Sequence, residues 1–347
     1  MTTLPTSNPI HKEIRQAACL CKRHRSPLHH FAASFPIHPR ATEEIKAVRH
    51  SLKWDPLTKI TVDEDKDNAM KRAREATEEI QIFTDGSSIN NNIGAAAILR
   101  RHGQPDKILC FHLGSQTHHI VYNGEQVGMI LGAELLRREP NICSVYMGVD
   151  NQAAILATVS RNCHSGHVLT DLFLQVLQSA LDKHGLQSLS VRWVPGHANI
   201  AGNELVDAEA KKAAEGETSC KDQFPQVLRR RDGPIPLPHN KSALIQNHNA
   251  LVKEKAKNTF ASSQRGRRMH QINPSLPSAK FSALVHFLPR RHASAVMQLH
   301  TGHVPLNHPL ARIGKTPSPP VPTARQPMRP STISYSCVLP TRSQGTC

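Results

Sequence analysis

Apolar and polar positions follow a regular pattern between Ile80 and about Glu215. "IQIFT", Ile80–Thr84, reads as a strand. A second strand is predicted over Ile93–Arg100 and a third over Lys107–Leu113, after the turn "HGQPD". Short turns make these three an antiparallel meander. From Asn123 to Glu139 the spacing becomes helical: Val127, Ile130, Leu131 and Leu135 form an apolar stripe and Pro140 ends the segment. Gly128 and Gly132 lie on a neighbouring stripe and allow close packing. A fourth strand follows over Ser144–Asp150, then short helices over Asn151–Thr158 and His167–His184. A fifth strand over Leu189–Val194 and a closing helix over Asn203–Glu215 complete the regular region. A meander followed by alternating strands and helices predicts an α/β fold on a mixed sheet.

The flanks are less regular. Residues 1–77 are mixed and polar and read as a linker or an upstream remnant, partly disordered, with a charged stretch over Glu64–Glu79 that could form an exposed helix. "RRRDGPIPLPHNK", Arg229–Lys241, reads as a linker, and Asn249–His270 as a basic helix and turn. Residues 217–347 read as a basic tail, partly helical to about residue 316. Beyond about Pro317 proline and serine without periodicity predict disorder.

Charge sharpens this division. The chain of 347 residues carries a formal net charge of +16. Residues 81–216 hold 10 Lys and Arg against 12 Asp and Glu, whereas residues 217–347 hold 19 against 4. The basic character therefore belongs to the tail and suggests a polyanionic partner. The eight cysteines include no C-x-x-C pair. That argues against a disulfide framework or zinc ribbon and for a reducing compartment. No apolar run approaches the ~20 residues that cross a membrane, and the N-terminus lacks the apolar core of a signal peptide. A nuclear or cytoplasmic protein, not secreted and without membrane contact, is expected.

Four acids in the regular region are candidates for chemistry. Asp85 ends the first predicted strand, Glu125 lies in the first turn of the first helix, Asp150 ends the fourth strand, and Asp207 lies one turn into the last helix. If the first and fourth strands are adjacent and parallel, Asp85 and Asp150 emerge side by side, where α/β sheets usually carry their sites. Clustered carboxylates repel one another unless a divalent cation neutralises them, and oxygen-only ligands favour Mg²⁺ or Mn²⁺. Two such ions are a common device for in-line phosphoryl displacement. Each acid has an ordinary reading too. Asp85 could be a turn residue and Asp150 a helix N-cap. Glu134, beside Arg137 and Arg138, reads as part of a solvated face, which favours Glu125 as the helix's functional acid. Asn123, Gln152 and Ser87 flank the acids and could meet substrate, or simply cap local structure. The serines sit in no G-x-S-x-G elbow.

"FTDGSS", the Glu125 helix, "GVDNQAAI" and above all "WVPGHANIAGNELVDAEAKKA" resemble type 1 ribonuclease H. The variety they resemble is the ribonuclease H domain of non-LTR retrotransposon polyproteins. The resemblance covers about residues 78–216. It implies a ribonuclease H-like fold with a five-stranded mixed sheet flanked by helices. It also implies endonucleolytic cleavage of the RNA strand of RNA/DNA hybrids, leaving 5′-phosphate and 3′-hydroxyl ends. The family's four metal-binding acids match Asp85, Glu125, Asp150 and Asp207, which implies two Mg²⁺ ions, with Mn²⁺ as a substitute. Glu204 and Glu209 are the rivals of Asp207, whose register after "GHANIAGNE" favours it. The family's mobile histidine, linked to product release or proton transfer, matches His197. A monomer is expected. The basic helix that some relatives carry between the fourth and last strands is absent here, since that interval holds only Arg161 and Lys183 as Lys or Arg before the last strand.

Leu288–Pro319 resembles the segment that follows ribonuclease H in such polyproteins, where it runs into a Cys/His cluster that this chain lacks. One back-translation of Pro327–Tyr335, read from its third base, spells Asp-Glu-Thr-Val-Tyr-His-Phe-Leu, the kind of sequence expected there. A frame break near Pro319–Pro322 accounts for both. The rival to an enzyme is a noncatalytic nucleic-acid-binding remnant.

Overall fold

The computed structural model describes residues 41–301, apart from 197, 231–232, 235, 273, 275 and 277–278, together with residue 314. His197 and the proposed frame break lie outside the described residues, as does nearly all of the chain beyond residue 301. The chain divides into two compact units, Met1–Leu251 and Val252–Cys347.

The first unit is built on a mixed sheet of six strands rather than five. In chain order these are β1 (Thr58–Thr61), β2 (Ile80–Ile89), β3 (Asn92–Arg101), β4 (Lys107–Ser115), β5 (Val145–Val149) and β6 (Leu189–Trp193). Their order across the sheet is β1-β6-β5-β2-β3-β4. β2, β3 and β4 form the antiparallel meander, and β2, β5, β6 and β1 run parallel. The additional strand has a simple reason for going unread. "TKIT" has one strongly apolar side chain and pairs only with β6, at the sheet edge, so it carries no alternation.

One face of the sheet is covered by α2 (Val121–Arg138) and α4 (His167–His184), the other by α5 (Ala201–Ala214) and α1 (Lys66–Arg74). The short α3 (Gln152–Ala157) follows β5. Core one joins Ile82 and Met147 of the sheet to Val127, Ile130 and Leu131 of α2 and to Phe173 and Leu177 of α4. Core two joins Phe83, Ile98 and Tyr146 to Val206 and Ala210 of α5, with Met70 and Ala73 of α1 packed against it. The glycine stripe of α2 serves the close approach expected of it. A Cβ on Gly128 would stand 3.0 Å from the Ala96 carbonyl, and one on Gly132 would stand 2.9 Å from Ile82 Cγ2.

Three local readings change. β2 does not end at Thr84 but runs on to Ile89, paired with β3 alone once β5 has stopped. Asp85 therefore lies inside β2, at the point where its parallel partner leaves. Asn151, not Asp150, is the N-cap of α3, its Oδ1 accepting the Ala154 N–H at 3.1 Å. Glu134 is fully buried rather than solvated, and its carboxylate accepts from Arg137 Nε at 2.8 Å and Arg138 Nε at 2.7 Å. The same two arginines that suggest a wet face are the reason a buried carboxylate is tolerated.

In the linker segment, Arg229–Arg230 and Gly233–Pro234 pair as a short ribbon. The long helix α6 (Lys241–Ser262) follows, and α7 (Gln264–Ile272), α8 (Ala279–His286) and α9 (Arg290–Thr301) belong to the second unit. Among the described residues no helix is long and apolar enough to cross a membrane.

Candidate active site

The β2–β5 register decides where the acids meet. Their last pair is Thr84 with Val149, so Asp85 and Asp150 are the next residues on two adjacent parallel strands. Glu125 is brought in by α2, which packs against β2 and β3; because the helix starts at Val121, two residues before the predicted start, Glu125 lies on its second turn rather than its first. One carboxylate oxygen from each of Asp85, Glu125 and Asp150 lies within 4.8 Å of the other two. Asp85 is 7% exposed and Glu125 is 4% exposed, while Asp150 is half-buried.

Burial and mutual repulsion act in the same direction here. Desolvation, then the charges of Asp150 and Asp207, push the Asp85 carboxyl up to about 7. Burial, then Asp150 and Asp85, raise Glu125 well above the usual carboxylate range. Asp85 keeps one compensating bond, from the Gly86 N–H to its Oδ1 at 2.8 Å. Among the described residues, Glu125 Oε2 is buried without a hydrogen-bond partner. An unpartnered buried oxygen on a carboxylate grouped with two others fits a divalent cation, which would supply the missing ligand and the missing charge.

Asp207 stands outside this group of three but is coupled electrostatically to Asp85. It is half-buried on α5, with Oδ2 accepting from Lys211 Nζ at 2.7 Å. Its rivals are engaged elsewhere: Glu204 Oε1 accepts the Asn199 N–H at 3.3 Å, and Glu209 Oε1 accepts from Lys212 Nζ at 2.6 Å.

The residues weighed as substrate contacts separate clearly. Gln152 is exposed at the start of α3, two residues from Asp150. Ser87 is half-buried on β2, two residues from Asp85. Asn123 is only 2% exposed, and its Oδ1 accepts the Ile120 N–H at 3.1 Å, closing the N-terminus of α2. Its amide follows the capping reading, with Nδ2 donating to Gln126 Oε1 at 3.4 Å.

Some supporting residues carry no clear signal in the sequence. Trp193 Nε1 donates to the Asp150 carbonyl at 3.0 Å, fixing the end of β5 against β6. Arg74 of α1 donates to the Ala198 carbonyl at 3.3 Å and so holds the loop between β6 and α5. Asn151 caps α3 and partly offsets the raised pKa of the Glu125 carboxyl. Lys211 has a legible signal, since it lies four residues after Asp207, one helical turn away.

Several proteins named ribonuclease H are similar to part of this chain. A ribonuclease H of Vibrio vulnificus (strain YJ016) is 30% identical over 153 residues, which is 41% of this chain and 93% of that protein. The chain belongs to the ribonuclease H family. A ribonuclease HI of Vibrio cholerae serotype O1 (El Tor Inaba N16961) is 30% identical over 149 residues, 40% of this chain and 91% of that protein. The solved structure of LC11-RNase H1 in complex with RNA/DNA hybrid aligns at 17% identity and a TM-score of 0.31, covering 39% of this chain and 98% of that one. No protein-family model matches the chain. The six-stranded mixed sheet with flanking helices is the ribonuclease H-like α/β fold.

The site makes the metal-free ribonuclease H domain sensitive to pH in a defined window. Asp85 titrates near 7 when folded and near its ordinary value, about 3.9, when unfolded. The folded state thus holds an extra proton between these values, and the resulting stabilisation is lost as pH rises through about 7. His119 acts oppositely: burial pushes it down to about 4, so folding gains as pH rises to about 6.5. Above about 6.5 only the Asp85 effect of these two remains. Most of that loss lies below about pH 6.5, so the melting temperature in chelator is expected to fall by only about 2–3 °C from about pH 6.5 to about pH 7.5 and to level off above that. Mg²⁺ added at the higher pH should restore it. Differential scanning calorimetry checks both.

Proposed function

We propose that this chain hydrolyses the RNA strand of RNA/DNA hybrids endonucleolytically, leaving 5′-phosphate and 3′-hydroxyl ends. The observation that carries this reading is the grouping of Asp85, Glu125 and Asp150, one oxygen of each within 4.8 Å of the others, in a chain of ribonuclease H ancestry. Asp85, Glu125, Asp150 and Asp207 are the proposed ligands of two divalent cations, Mg²⁺ by preference and Mn²⁺ as a substitute. Bound there, the cations would neutralise the carboxylates and polarise the scissile phosphate and the attacking water.

The remaining work falls to the protein. Asp85 and Asp150 hold fixed positions on paired strands, and Glu125 is fixed by a buried helix, so three ligands are preorganised. Asp207 is more accessible, and its Lys211 partner holds positive charge beside it when no cation does. Gln152 offers an exposed amide to sugar or phosphate, and Ser87 a hydroxyl beside Asp85. The 2′-hydroxyl groups mark the strand to be cut. His197 is assigned product release or proton transfer from its place in "PGHAN".

The motifs between Phe83 and Ala213, and the echo over Leu288–Pro319, support descent from a retroelement polyprotein whose frame broke near Pro319–Pro322. Genomic DNA with no frame there encoding a Cys/His cluster would remove that part of the reading.

The test of activity uses the full chain and an end-labelled hybrid, with Mg²⁺ or with chelator, beside duplex RNA and duplex DNA. Metal-dependent cutting of the RNA strand of the hybrid alone, lost in Asp150→Asn, is expected. A folded chain that cuts nothing in Mg²⁺ or Mn²⁺ would leave a noncatalytic binding remnant instead.

A further inference from the structure

The two units use their cations differently. In the first, arginines are largely spent on internal carboxylates: Arg49 on Asp171, Arg101 on Glu79 and Glu139, Arg137 and Arg138 on Glu134, Arg192 on Glu78. In the second, residues 252–301 hold nine Lys and Arg against the single acid Glu254. Lys253, Lys255 and Lys257 of α6 and Arg265, Arg267 and Arg268 of α7 are all exposed. None of these six is in an ion pair among the described residues. Arg290 and Arg291 of α9 are exposed as well.

The corner between the two basic helices is built tightly. Ser263 Oγ accepts the Gly266 N–H at 2.9 Å, and a Cβ on Gly266 would stand 1.7 Å from the Phe260 carbonyl. The lysine run of α6 and the arginines of α7 therefore meet at a fixed bend rather than along a loose chain.

We infer that this exposed basic surface of α6 and α7 is a handle for the phosphate backbone of nucleic acid, gripping it without regard to sequence. It deepens the nuclease reading and rests on it for the identity of the bound duplex. The segment of residues 81–216 carries slightly more acid than base and four carboxylates at its candidate site. It offers a polyanion no net attraction, whereas an exposed surface of cations without ion pairs among the described residues does. A membrane is the less favoured occupant. Lys253 and Lys257 lie one turn apart on one side of α6, and Lys255 lies on the opposite side. The charges thus surround the helix and leave no continuous apolar face of the kind that enters lipid.

The test is fluorescence anisotropy of a labelled RNA/DNA hybrid with the full chain carrying Asp150→Asn, which should bind without cutting. A second protein adds Lys253→Gln, Lys255→Gln, Lys257→Gln, Arg265→Gln, Arg267→Gln and Arg268→Gln. Circular dichroism confirms that its helices remain. A site touching six or more phosphates loses roughly 10³-fold in affinity between about 50 and about 200 mM salt. The six-fold variant is expected to lose at least about 10-fold at the lower salt, to show a flatter salt dependence, and to lose as much on duplex DNA. In the Asp150-intact chain the same six changes should raise KM and leave kcat unchanged. Hybrid affinity within two-fold of the parent, with the same salt slope, overturns the handle. So does binding to anionic vesicles that the six changes abolish while hybrid binding stays intact. Loss of hybrid binding in a chain that never cuts hybrid keeps the handle and removes only the nuclease reading.

Discussion

Asp85→Asn is expected to remove hybrid cleavage while making the metal-free protein more stable. The side chain sits inside β2, 7% exposed, against Glu125 and Asp150. Asparagine matches its size, and its Oδ1 can keep the Gly86 N–H bond. What changes is charge. Removing one carboxylate relieves Glu125, whose raised pKa owes part of its shift to Asp85, and so favours folding without metal. The same removal takes away a ligand from the proposed cation site, and kcat/KM should fall on the order of 10³-fold or more, as when a preorganised electrostatic group is lost. Opposite signs in the two measurements separate loss of chemistry from loss of fold. In calorimetry, the variant should melt above the parent in chelator and lose most of the stabilisation that Mg²⁺ gives the parent. A folded variant that still cuts within ten-fold of the parent would place the metal ligands elsewhere.

The adjacency of Asp85 and Asp150 is legible in the sequence, because an acid after a buried strand recurs twice and parallel strands bring such ends together. The long helix is legible from its stripe, down to the glycines that let it approach the sheet. The features with no local signal depend on contacts distant along the chain. "TKIT" becomes a strand only because β6 offers an open edge. Glu134 looks solvated beside two arginines, yet those arginines arch over it and make its burial possible. Asn123 looks like a substrate amide, but the Ile120 N–H at the helix start claims its oxygen first. Charge composition locates the basic tail. It does not reveal that, among the described residues, most arginines of the first unit are in ion pairs while the lysines and arginines of α6 and α7 are not.

Gly86→Ala is expected to damage fold and site together, through geometry alone. A Cβ at position 86 would stand 2.3 Å from the Glu125 backbone nitrogen and 2.5 Å from the Gly124 carbonyl carbon. Both are main-chain atoms of α2, so no side chain can swing aside and the helix must move off the strand. Gly124 is constrained from the other side, since its own Cβ would stand 2.8 Å from the Gly94 carbonyl oxygen. Each of the two buried acids thus has a glycine beside it in the chain, Gly86 after Asp85 and Gly124 before Glu125. Those two glycines touch, and their contact lets the carboxylates come within 4.8 Å. Overpacking usually costs about 1–3 kcal/mol, and a clash between main chains belongs at the upper end. At roughly 2–4 °C per kcal/mol for a domain of this size, the melting temperature should drop by about 10 °C. Glu125 would shift with the helix, and a displacement of about 1 Å can cost 10²-fold in rate. Cleavage assayed well below the lowered melting temperature should therefore remain depressed by about that factor. A variant melting within about 2 °C of the parent, with undiminished activity, would show that α2 does not approach β2 this closely.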